Sequence, residues 1–272
     1  MRFVTSVLVM AAAVSGAARG ERRNDIEFAK PGGYSLTLDA WVPQGKGPFA
    51  AAIIVHGGGW VNGTKLSYVP PLFEPLTNGG FAWFTINYRL APAYKVPAPI
   101  EDVESAIRYV KAHAKEFKVD PARLALIGES AGGHLVSYVG AHSKEKVKAV
   151  VSFYGPHDLE RRAKAMGQVG ENLEKLFGLK ELDGHALKVM RDASPVNYVH
   201  KGMPPYLLIH GTKDAAVPYD QSPLMCEKMK AVGVSCELFT VEDAPHGIGP
   251  WEKNPEFQKY KPVMIEWLKK TL

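Results

Sequence analysis

Arg123-Leu124-Ala125-Leu126-Ile127-Gly128-Glu129-Ser130-Ala131-Gly132-Gly133 is the stretch on which the reading of this chain turns. Leu124 to Ile127 is a short unbroken apolar run, the pattern of a strand buried on both faces. Gly128, Gly132 and Gly133 bracket Ser130, and a helix is expected to begin near Ala131. A strand that turns this sharply into a helix needs glycine on both sides, because a β-carbon there would strike the neighbouring strand and helix. The turn would lift the Ser130 hydroxyl above a sheet, over a helix N-terminus that favours developing negative charge. On its own G-x-S-x-G is a weak signal, since short patterns of common residues recur by chance. Its surroundings carry the weight.

Working outward, similar apolar runs recur at Ala50 to Val55, Phe81 to Ile86, Ala149 to Phe153, Pro205 to Ile209 and Cys236 to Val241. Helical stretches separate them. Ile100 to Phe117 carries Val103, Ala106, Ile107, Val110 and Ala114 at helical spacing, with Pro99 near its start. Leu135 to Ala141, Tyr219 to Val232 and Glu256 to Leu272 are the other candidates. Strand then helix, repeated, predicts an α/β fold with a doubly wound, mostly parallel sheet. Tyr34 to Trp41 alternates apolar and polar side chains instead, as a half-exposed antiparallel strand would. Residues 156–200 break the rhythm. His157 to Arg191 reads as a small helical insertion over the rim of the sheet, with Leu173, Leu176 and Phe177 as an apolar stripe. A solvated crossover with no part in substrate choice is the competing reading.

The 272 residues suit one domain, 19–272, and neither a repeat nor a linker divides it. Hydrophobic residues make up 46% and charged ones 22%, so a packed core is expected. The net charge of +5 is scattered, which gives no footprint for nucleic acid. Met1-Arg2, the apolar Phe3 to Val14 and the small residues Gly16-Ala17-Ala18 match a signal peptide cut after Ala18. The apolar run falls short of the roughly 20 residues a membrane span needs. The expectation is a secreted or periplasmic chain without a membrane anchor after cleavage. Cys226 and Cys236 stand close enough to close a small loop as a disulfide in an oxidising compartment, or to remain two buried thiols.

A serine hydroxyl needs a base to take its proton, and the base needs an acid to orient it. After a strand–serine–helix turn of this kind the acid and the base follow in that order on loops after later strands. Asp214 follows the run Pro205 to Ile209, within His210-Gly211-Thr212-Lys213-Asp214. His246 follows Cys236 to Val241, within Ala244-Pro245-His246-Gly247. Ser130, Asp214 and His246 are therefore the candidate catalytic residues. Asp220 is a better helix cap than acid, while Glu242 and Asp243 crowd the His246 loop. His56, His134, His142, His157 and His210 do not follow the acid on a later loop. His56-Gly57-Gly58-Gly59-Trp60 lies directly after the strand Ala50 to Val55. Its glycines allow backbone N–H groups to point at a substrate oxygen, so Gly58 and Gly59, with the Ala131 N–H, are the candidate oxyanion hole. Trp60, Tyr68, Tyr88, Tyr154 and Trp251 flank these loops as stacking surfaces or loop anchors, and Trp60 and Trp251 are the favoured substrate contacts.

His56 to Trp60, Asn87-Tyr88-Arg89-Leu90-Ala91-Pro92, Gly128 to Gly133 and the Asp214 and His246 loops together resemble the bacterial esterase/lipase group of the α/β-hydrolase fold. That group includes hormone-sensitive-lipase-like carboxylesterases and acetyl xylan and feruloyl esterases. The likeness covers nearly all of 19–272. It implies hydrolysis of carboxylic esters through an acyl-enzyme on Ser130, without metal or organic cofactor. It departs in two places. Hormone-sensitive-lipase-like members carry a helical cap before the glycine segment, whereas residues 19 to 55 read as strands; and Glu129 stands where those members have Asp. Both departures point to compact esterases acting on polysaccharide-derived esters. A prolyl-oligopeptidase-like peptidase and a non-catalytic binding protein of the same fold are the other readings.

Overall fold

The computed structural model describes residues 18–272. The expected signal segment 1–18 therefore lies, but for Ala18, outside the described residues. Among them eight strands form one sheet in the order β1-β2-β4-β3-β5-β6-β7-β8. The strands are β1 Gly20–Ala29, β2 Leu36–Pro43, β3 Phe49–Val55, β4 Ala82–Ile86, β5 Val119–Glu129, β6 Ala149–Phe153, β7 Tyr206–Gly211 and β8 Cys236–Val241. β2 pairs antiparallel with both β1 and β4, and from β4 to β8 every pairing is parallel. The parallel strands β4 and β6 are buried at every position, as their unbroken apolar runs require.

Helices cover both faces. Along the chain they are α1 Phe73–Asn78, α2 Ala98–Ala112, α3 Ala131–His142, α4 Leu159–Met166, α5 Glu171–Phe177, α6 Gly184–Asp192, α7 Gln221–Ala231, α8 Ile248–Trp251 and α9 Tyr260–Thr271. One core gathers Val103 and Ile107 of α2, Leu135 of α3 and Met225 of α7 against one side of the sheet. Leu76 of α1 and Met264 and Trp267 of α9 close the opposite side. The helix expected to reach Phe117 stops at Ala112, and the chain then turns so that Phe117 enters the core. Of the two readings of the cysteines, the bridge is the one present, with Cys226 of α7 joined to Cys236 at the start of β8.

One difference from the sequence reading bears on the site. β2 is not half-exposed: Leu36, Leu38, Asp39, Ala40, Trp41 and Val42 are all buried. Its polar Asp39 is tolerated there because the buried Lys65 ammonium sits 3.2 Å away and Arg22 of β1 at 3.4 Å. Lys65 also pairs with Asp25, on a bulge of β1, and its N–H donates to Asn87 Oδ1 at 2.8 Å. The loop after β3 is in this way pinned to the antiparallel edge of the sheet. The 156–200 region folds as α4, α5 and α6 plus a short 3-10 turn at Pro195–Tyr198. Leu173 and Leu176 are buried and Phe177 partly so, which seats α5 on the main core. No helix among the described residues is long and apolar enough to cross a membrane.

Candidate active site

The C-terminal ends of the parallel strands bring the candidate residues to one place, as an open α/β sheet does. Ser130 joins β5 to α3 at φ 53 and ψ −118, a strained conformation for a residue with a β-carbon. The turn is held on both sides: the Ser130 N–H donates to Phe153 O at 2.9 Å, and Ser130 O accepts from His134 N at 3.0 Å. From the loop after β8, His246 places Nε2 3.0 Å from Ser130 Oγ. Its Nδ1 lies 2.6 Å from Asp214 Oδ2, on the loop after β7. The serine, base and acid thus form one continuous hydrogen-bonded line.

Asp214 is fixed before the histidine arrives. Its side chain is fully buried, and Oδ1 accepts from the Ala216 and Val217 N–H groups at 2.8 Å each. Burial pushes its carboxyl upward, but hydrogen bonds from His210 and His246 outweigh that and hold it well below the usual carboxylate range. His210 is not a rival base. Its Nε2 lies 3.0 Å from Val217 O and 3.4 Å from Asp214 Oδ2, and Nδ1 meets Ser222 at 2.8 Å. It braces the acid from below. His56, His134 and His157 are buried, and burial drives them down to about 4, about 4 and about 3, so they stay neutral. Among the other acids, Asp220 pairs with Arg161 at 2.8 Å and makes no capping bond, against expectation. Asp243 pairs with Lys213 at 2.9 Å, and Glu242 accepts from Thr212 at 3.1 Å.

Gly58 and Gly59 turn at φ 93 and φ 62, and with Ala131 they line the cavity beside Ser130. Among the described residues none accepts a hydrogen bond from the Gly58, Gly59 or Ala131 N–H. Three backbone donors are therefore unpaired at the cavity beside Ser130.

Glu129, noted in the sequence only as a departure, proves central to this geometry. It is buried, lines the cavity, and accepts from the Gly57 N–H at 2.6 Å. A β-carbon at Gly57 would lie 2.7 Å from the Glu129 carboxyl carbon, so glycine is what allows the approach. One carboxyl thus anchors the glycine loop after β3. Nearby, the Tyr154 hydroxyl accepts from the Ile248 N–H at 2.8 Å. Burial raises the Glu129 carboxyl to about 7, against the opposing pull of the His246 charge and the Gly57 N–H. Only its placement over Gly57 reveals this, and sequence spacing carries no signal of it.

That shift has a measurable sign. The carboxyl binds its proton more tightly in the folded chain than in the unfolded one, so stability falls as pH rises from about 4.5 to about 7. Glu129→Gln removes the titration. Its unfolding free energy relative to wild type should rise by about 3 kcal/mol between pH 4 and pH 8 in denaturant titrations. A difference that stays constant with pH would show that Glu129 is not held protonated by burial.

The cavity above Ser130 measures about 580 Å³. Trp60 lines it, buried and edge-on to His134 at 5.3 Å, and Tyr68 stands half-exposed at its mouth. Trp251 does not line it. The indole is fully buried, donates to Pro245 O at 2.7 Å and packs against Tyr154 and Tyr260, so the expected stacking role is withdrawn. Tyr88 lies under the glycine loop, stacked on His56 at 4.4 Å, and Tyr154 meets His246 edge-on at 4.6 Å. Both are anchors. Residues of the 156–200 region supply a wall, including Arg162 and Met166 of α4 and Leu173 of α5. The sequence reading did not single out Arg162.

Residues 38–229 match the family described as BD-FAE. Among proteins of similar sequence, Esterase LipC of Mycobacterium tuberculosis is 32% identical over 216 residues, covering 73% of this chain and 53% of that one. An acetylxylan esterase of Xylanibacter ruminicola is 27% identical over 261 residues, 91% of this chain and 50% of the relative. The chain thus spans about half the length of these relatives. A truncated carbohydrate esterase from gut microbiota superposes with a TM-score of 0.79 at 25% identity, covering 94% of this chain and 99% of that one. Thermogutta terrifontis esterase 2 in its apo form gives 0.74 at 27% identity, over 93% and 94%.

Proposed function

The chain belongs to the BD-FAE family, and on that premise we propose that it is a serine carboxylic-ester hydrolase working through an acyl-enzyme. The carrying observation is the line from Ser130 through His246 to Asp214, at 3.0 Å and 2.6 Å, beside three unpaired N–H groups. Ser130 attacks the ester carbonyl while His246 Nε2 takes its proton. Asp214 holds the Nδ1–H tautomer and stabilises the imidazolium. The Gly58, Gly59 and Ala131 N–H groups receive the charge that builds on the carbonyl oxygen. The alcohol leaves with the proton from His246, and water releases the acid by the same route.

The substrate class we infer is a short acyl ester, acetyl or feruloyl, including esters of plant polysaccharide. The similarity to an acetylxylan esterase and a carbohydrate esterase supports this, as does a cavity walled by Trp60, Tyr68 and Leu173. Export through the Met1 to Ala18 segment would bring the enzyme to such polymers. The test is turnover of p-nitrophenyl acetate, butyrate, octanoate and dodecanoate, with acetylated xylan and methyl ferulate alongside. We expect acetate or butyrate to be fastest, with acid released from at least one plant-type ester. Absence of turnover on every ester would overturn the reading.

A further inference from the structure

Arg162 stands apart from the arginines around it. Arg89, Arg161 and Arg191 each close on a carboxylate, at 2.7, 2.8 and 2.7 Å. Arg162 pairs with none among the described residues. Its Nη2 donates to a neutral acceptor, Ala216 O, at 3.1 Å, and its Nε is buried without a partner. Burial lowers its proton affinity, with the Asp214 charge as the opposing pull. Yet Asp214 has no oxygen to spare: Oδ1 serves the Ala216 and Val217 amides, and Oδ2 serves His246 and faces His210.

The same side chain lines the cavity over Ser130. The other ionisable groups that face this space, the Tyr68 phenol aside, are Glu129, bound to the Gly57 N–H, Glu171, paired with Lys175 at 2.6 Å, and His246 of the triad. Arg162 is thus the permanent cation of the cavity wall. A partly desolvated guanidinium without a counter-ion is costly, and its planar fork matches a carboxylate better than any neutral group. Apolar neighbours such as Met166 and Leu173 would strengthen that pairing by excluding water.

The geometry points to Arg162 as a specificity-determining residue that selects esters bearing a second, free carboxylate, such as half-esters of dicarboxylic acids. The guanidinium receives that carboxylate while Ser130 faces the ester carbonyl. The inference rests on the ester-hydrolase reading, but its binding step can be tested apart from turnover.

Ser130→Ala provides a background in which substrate binds without reacting. On it, NMR titrations compare monoethyl succinate with the neutral ethyl butyrate, in the presence of Arg162, Arg162→Met or Arg162→Lys. With Arg162 present, monoethyl succinate should bind more tightly. Arg162→Met should weaken it by about 10- to 100-fold, at least tenfold more than it weakens ethyl butyrate, and Arg162→Lys should recover part of the loss. Equal affinity for the two esters would overturn the inference. So would an equal loss of both in the methionine variant, which would reveal a purely structural role through Ala216. A wild-type protein that turns over neither these two esters nor any ester of the panel above would sink the hydrolase reading, while the titrations still decide on Arg162.

Discussion

Ser130→Ala should lower kcat on p-nitrophenyl acetate by about 10⁴- to 10⁶-fold and leave the denaturation midpoint close to wild type. The size follows from the geometry: Oγ is the atom aligned with His246 Nε2, and an alanine methyl carries no proton for the base to take. The silence in stability follows too. Ser130 is held by its backbone, through Phe153 O and His134 N, and alanine keeps both bonds and the same β-carbon at φ 53. The residual rate would report what the free N–H groups of Gly58, Gly59 and Ala131 contribute alone. Wild-type turnover in this variant would remove Ser130 from the mechanism.

Gly132→Ala should be among the most damaging single methyls in the chain. Gly132 lies in the first turn of α3 with ordinary helical backbone, so no conformational strain is involved and the whole effect is steric. A β-carbon there would lie 2.5 Å from His56 O and 2.7 Å from Val55 C. These are backbone atoms at the end of β3, which is locked between β4 and β5 and leads straight into the glycine loop. We expect a loss of about 3 kcal/mol or more in denaturant titrations, and reduced kcat in whatever fraction folds, because β3 cannot yield without moving Gly58 and Gly59. Gly184→Ala meets nothing within 4 Å and serves as the control. Equal stability of the two variants would contradict the packing described for α3 against β3.

The legible parts of this protein were those whose local pattern equals their tertiary role. Strands buried on both faces must be apolar throughout, so β3, β4, β6 and β7 surface as near-unbroken runs. β8, expected to be buried likewise, is an edge strand with only Cys236 and Val241 buried and Glu237 exposed. Ser130, Asp214, His246, Gly58 and Gly59 stand out because each follows such a run, in the chain order this turn imposes. β1 hides because an edge strand is mostly solvated, and Gly20–Ala29 is accordingly rich in charge and carries bulges. α1 is short and set among Pro70, Pro71 and Pro75, which leaves no helical period to find. The alternation in β2 suggested an exposed face, but Asp39 is buried against Lys65, a residue 26 positions on. Trp251 misled for a related reason. Nearness to His246 in sequence says nothing of direction, and the short α8 turns the indole inward. Arg162 and Glu129 act through long-range contacts with Ala216 and Gly57, which no local pattern encodes.

The Lys65 ion pair gives the first strand a reach beyond its own neighbourhood. β1 lies at the rim of the sheet, far from the chemistry in strand order, and would look like the part most safely trimmed. Yet Asp25 and the buried Asp39 compete for one ammonium, and that ammonium belongs to the segment running from the oxyanion glycines to Tyr68 at the cavity mouth. A chain cut back past Asp25 would leave Lys65 buried with half its compensation, and the loosened wall would be felt by the substrate.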